Sequence, residues 1–77
     1  MEYLIVELFD REGRPLSRRV KVDDELLGRT DENFFELERG THFVSLGPPS
    51  NFTPEEREVR LRNTTVLSPR VIRFDVL

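Results

Sequence analysis

Glu2-Tyr3-Leu4-Ile5-Val6-Glu7-Leu8-Phe9 runs straight into Asp10-Arg11-Glu12-Gly13-Arg14-Pro15, and that junction decides the fold. Extended chain has a side-chain period of two, so Leu4, Val6 and Leu8 share one face and Tyr3, Ile5 and Phe9 the other. Apolar residues on both faces predict a strand covered twice. The six residues that follow are turn chemistry. Asp10 can bond its own backbone, Gly13 permits positive φ, and Pro15 has no N–H to give a ladder.

Outward from this junction, short alternating runs and turn residues succeed one another about every ten positions, the mark of a sandwich or small barrel. Arg18 to Val22 places Val20 and Val22 inward, and Asp23-Asp24-Glu25 turns it into Leu26 to Thr30. Gly28 within that run predicts a bulge or a close backbone approach. Asp31-Glu32-Asn33 turns again, with Asn33 suited to left-handed backbone, into Phe34 to Glu38 with Phe35 and Leu37 inward. Arg39-Gly40 reads as a tight reversal into Thr41 to Leu46, where His42, Val44 and Leu46 share a face. Pro48, Pro49 and Pro54 argue against a regular strand anywhere in Gly47 to Glu56. Arg57 to Arg62 brings Val59 and Leu61 inward, and the last strand does the same for Ile72, Phe74 and Val76. The expected fold is a single all-β domain over residues 1–77, a small seven-stranded antiparallel β-sandwich.

At 77 residues the chain can enclose one core and no deep cleft. A single core of this size supplies about 3–5 kcal/mol of net stability. A formal charge of -3 and a pI near 5.1 argue against general affinity for nucleic acid or anionic membrane, both of which need a basic surface. The lack of cysteine removes disulfides, thiolate catalysis and thiolate metal sites together. The first residues carry no signal-peptide pattern, and no run approaches the roughly 20 apolar residues of a spanning helix. The expectation is a soluble chain without membrane insertion, cytoplasmic by default unless the domain is excised from an exported protein.

His42 is the sole histidine, so it has neither a catalytic partner nor a transition-metal set. Ser17, Ser45, Ser50 and Ser68 lack a nucleophile-elbow context. No catalytic residue, cofactor site or metal site is therefore expected. Asn51-Phe52-Thr53 and Asn63-Thr64-Thr65 match the glycosylation pattern, which has meaning only on a secreted chain.

The stretches Val6 to Leu16, Val20-Lys21-Val22-Asp23, Gly28-Arg29-Thr30-Asp31, Phe35-Glu36-Leu37 and Gly40 to Leu46 together resemble the PEGA and carboxypeptidase-regulatory-like domains. They fall in that family's order and approximate spacing. The Pro-Glu-Gly-Ala signature itself is absent, and Asn33 stands where the regulatory-like pattern usually has glycine. The resemblance implies a Greek-key, transthyretin-like β-sandwich and an accessory, non-catalytic role, with no ligand or site residue specified.

If consecutive strands are antiparallel, the first, third and fifth loops share one end, gathering Asp10, Glu12, Asp31, Glu32, Asn33, Glu55 and Glu56. Such oxygens could serve a calcium ion, although acidic turns need no ion to explain them. Phe52, in the longest connection, is either a lid on the core or an exposed anchor. The residues expected to form a partner-binding loop surface are Phe52, Asn51, Asp31 and Glu32. Glu58, Arg60 and Arg62 with Arg73 and Asp75 read as a charged stripe paired across two adjacent strands. The function expected is a non-catalytic accessory or protein–protein interaction module with a protein partner. The alternatives are a homo-oligomer formed by edge-strand pairing and a calcium-dependent binding domain.

Overall fold

A computed structural model describes residues 1–32 and 34–77, so the expectation for Asn33 lies outside the described residues. The strands are β1 (Glu2–Phe9), β2 (Arg19–Val22), β3 (Glu25–Arg29), β4 (Phe35–Leu37), β5 (Gly40–Leu46), β6 (Phe52–Thr53), β7 (Arg57–Leu61) and β8 (Arg70–Val76). They form two four-stranded sheets, ordered β4-β1-β8-β6 and β3-β2-β5-β7. The fold is thus an all-β sandwich, with two corrections to the expected one. β6 is an eighth strand, two residues long, which pairs Phe52 with Val76 and Thr53 with Asp75 inside the proline-rich connection. β1 and β8 run parallel, from Leu4 opposite Arg70 to Phe9 opposite Asp75, so the first sheet is mixed.

Alternation places the core as expected. Leu4, Val6, Leu8, Val20, Val22, Phe35, Leu37, Val44, Leu46, Val59, Leu61, Ile72 and Phe74 are buried between the sheets, and Val76 is partly buried against them. The outer face of β1 is covered differently from the expectation, by single side chains and not by another layer. Tyr3 meets Phe34 edge-on with ring centroids 5.2 Å apart, and the Arg73 guanidinium lies 4.2 Å above the Phe9 ring.

Among the described residues only β2 and β3 form a hairpin within one sheet, turning at Asp23 and Asp24, whose φ of 48° and 68° match a two-residue primed turn. Arg39-Gly40 is the principal difference here. It carries the chain from β4 in one sheet to β5 in the other, so it is a crossing and not a hairpin. Gly28 marks the expected bulge, and what approaches it closely is side chain and not backbone. The register shifts between Val20–Gly28 and Lys21–Leu26, a bulge in β3, and a Cβ on Gly28 would lie 2.8 Å from Phe35 Cε1.

Polar groups finish the ends. Thr64 Oγ1 donates to Glu2 Oε1 at 2.6 Å and accepts the Tyr3 N–H at 2.8 Å, fastening the start of β1 to the β7–β8 connection. Thr30, the one buried polar residue among the described residues, accepts the Arg18 N–H and donates to the Leu16 carbonyl. Among the described residues no buried side-chain nitrogen or oxygen lacks a partner.

Candidate functional site

The connections after β1, β3 and β5 do meet at one end. Ser17 Oγ donates to Asp31 Oδ1 at 2.9 Å, and the Arg18 guanidinium donates to Pro49 O at 2.8 Å and Asn51 Oδ1 at 2.9 Å. Asp31 and Asn51 are therefore engaged within the chain, while Glu32 is exposed beside Gly28. Asp10 accepts the N–H groups of Glu12 and Arg14, and the Arg14 guanidinium pairs with both Asp10 and Glu12. The Arg14 amide foremost, against some desolvation, holds the Asp10 carboxyl below its ordinary range. Glu56 lies elsewhere, on the hollow that Asp23, Asp24 and Phe43 share. Among the described residues no three carboxylate or imidazole groups come together as a metal site would require.

Phe52 is 8% exposed and meets Phe74 edge-on with centroids 5.8 Å apart. It is the lid of the core, and the reading of it as an exposed anchor is overturned. The expected charged stripe is also corrected. Glu58 and Arg60 belong to β7 in one sheet, whereas Arg73 and Asp75 belong to β8 in the other and pair with each other at 2.8 Å.

A surface the sequence reading missed lies on the side of the sandwich where the edge strands β3 and β4 face each other. A groove of about 440 Å³ opens there. Its floor is Val22, Leu27 and Leu37, with Met1 at one end, and its rim is Asp23, Glu25, Glu36 and Glu38. Among the described residues no lysine or arginine lines it. Local sequence explains the opening. The bulge at Gly28 breaks the alternation of β3, so the consecutive Leu26 and Leu27 are 50% and 46% exposed, and β4 is only three residues long.

His42 closes the inner end of the groove with both ring nitrogens occupied. Nδ1 is 2.7 Å from Asp23 Oδ2 and Nε2 is 2.7 Å from the Glu38 carbonyl. Desolvation works against the imidazolium, but the Glu38 carbonyl and then the Asp23 carboxylate outweigh it and raise the His42 pKa above its ordinary 6.5. The Phe43 N–H first, and His42 second, lower Asp23 below 3.8. A raised histidine contributes stability that is complete below 6.5 and disappears as pH climbs through the higher folded value. A lowered carboxylate contributes stability above 3.8 that is lost as pH falls through the folded value. The pair is thus strongest between those limits. Wild type is expected to exceed His42→Gln in melting temperature in that window, with the gap narrowing as pH is raised past neutrality. Thermal melts across pH check this, and a constant gap would contradict it.

No protein-family model, curated protein or solved structure matches the chain.

Proposed function

We propose that this chain is a non-catalytic β-sandwich interaction module that meets another protein chain along the β3–β4 side. The observation that carries the reading is the groove itself, with an apolar floor between two free sheet edges and a rim of carboxylates. Both edges offer unpaired backbone to an incoming segment, and the floor offers it apolar contact. The occupied nitrogens of His42 support the same reading, because the one imidazole of the chain has no free position from which to act as a base. So does the likeness of the strand and turn residues to the PEGA and regulatory-like, transthyretin-like domains, which implies an accessory role.

A photo-crosslinking residue at Leu27 tests it. In the source cell it is expected to form adducts with protein that the same residue at Arg14, on the exposed first turn, does not form. Equal labelling at the two positions would contradict the reading.

A further inference from the structure

The charges of the chain are segregated along its length. Residues 23–38 carry seven carboxylates against Arg29 alone, and residues 57–73 carry five arginines against Glu58 alone. The carboxylates lie on β3 and β4, edges of the two sheets, whereas the arginines lie on and after β7, the opposite edge of one sheet, and on β8, an inner strand two places from β4 in the other. Among the described residues Glu25, Glu36 and Glu38 on the acidic side form no ion pair, and neither do Arg62 and Arg70 on the basic side. Each side therefore presents charge that the monomer leaves uncompensated.

The basic side also carries the most exposed apolar residue of the fold. Leu67 is 97% exposed and Val66 55%, at the tip of the connection between β7 and β8. The tip is not a loose strand end. Thr65 and Ser68 bond each other's backbone at 3.2 and 3.1 Å, and Thr65 Oγ1 also accepts the Ser68 N–H at 3.0 Å. The result is a fixed apolar knob with Arg62 before it and Arg70 after it. The groove between β3 and β4 offers the complementary chemistry, an apolar floor of Val22, Leu27 and Leu37 between Glu25, Glu36 and Glu38.

We infer that the partner of the β3–β4 groove is a second copy of this chain, whose Val66–Leu67 knob enters the groove with Arg62 and Arg70 against the carboxylate rim. This rests on the interaction-module reading and names the partner. Knob and groove both adjoin the end where β1 begins and β4 and β7 finish, because Glu2 pairs with Leu37 and Gly40 with Leu61. Two copies can therefore exchange knobs about a two-fold axis, and an unreciprocated contact would instead build open chains. Opposite charges across the contact make association fall as salt is added, with the apolar knob as the anchor.

The test is sedimentation equilibrium of the full chain. Wild type is expected to associate reversibly, less so at high salt, and Leu67→Asp to associate about tenfold more weakly or not at all. Two charge reversals separate recognition from misfolding. Glu36→Arg with Glu38→Arg, and Arg62→Glu with Arg70→Glu, are each expected to be monomeric alone and to associate when mixed, because mixing restores complementary charge at both contacts. A wild type that stays monomeric throughout, association that Leu67→Asp does not weaken, or mixed reversals that stay apart would overturn the inference. The Leu27 crosslinker keeps the two proposals distinct. Adducts with a different protein from a monomeric chain would sink self-recognition and leave the module reading standing, and no adducts at all would sink both.

Discussion

Phe52→Ala is expected to leave the domain largely unfolded at room temperature. Its ring is buried against the edge of Phe74, itself wholly buried, and β6 exists only where Phe52 and Thr53 pair with the end of β8. Truncating a buried phenylalanine costs about 3–5 kcal/mol. That equals the about 3–5 kcal/mol that a core of this size supplies in total. Phe52→Leu, which keeps most of the apolar volume, should retain a cooperative transition at lower denaturant concentration. Urea unfolding followed by circular dichroism separates these outcomes. A Phe52→Ala protein within about 0.5 kcal/mol of wild type would be the behaviour of an exposed residue and would contradict the placement of this ring.

Gly28→Val should be the next most damaging change, although it adds apolar area to a strand. The first added carbon would lie 2.8 Å from two atoms, Glu32 Oε2 and Phe35 Cε1. Glu32 is exposed and can swing away, but Phe35 is part of the core and can move only by displacing Leu4 and its neighbours. Forcing extra carbons into a packed site costs about 1–3 kcal/mol. In a domain this small each kcal/mol lowers the melting temperature by about 4–8 °C. Gly28→Ala should cost less, because it adds only the first of these carbons and not the two that valine places beyond it. The mechanism predicts a specific rescue: Phe35→Leu should cost less in the Gly28→Val background than in wild type. Additive melting-temperature losses would show that the clash is not the cause.

The sequence made much of the sandwich legible, for a physical reason. Period-two burial is a local property, so the bounds of β1 and the inward residues of β2, β5, β7 and β8 could be read directly from Leu4, Val20, Val44, Val59 and Ile72. Gly13 at φ 82° and the bulge at Gly28 were legible because each rests on the backbone freedom of one residue. What alternation does not encode is which sheet a strand joins or in which direction. That is why the β1–β8 pair turned out parallel and Arg39-Gly40 turned out to cross between sheets. β6 was hidden because two residues show no period, and its ladder depends on β8, more than twenty residues later.

The same limit applies to the surface. Phe52, Asn51, Asp31 and Glu32 drew notice as loop residues, yet Phe52 belongs to the core and Asp31 and Asn51 are bonded to Ser17 and Arg18. The β3–β4 groove forms where two edges distant in pairing come together, which no single window of sequence displays. Two signals did point toward it. Leu26-Leu27 interrupts the alternation of β3, and the carboxylates of residues 23–38 stand apart from the arginines of residues 57–73.

The most direct measurement is the backbone amide spectrum of the protein recorded as a concentration series reaching about 1 mM, where even weak association is populated. The predicted result is concentration-dependent shifts at Leu27, Leu37 and Glu38 and at Val66 to Arg70, with Asp31, Glu32, Asn51 and Phe52 unmoved. Shifts confined to those last four residues, or none anywhere, would contradict the assignment of the β3–β4 groove as the surface through which this domain recognises a second copy of itself.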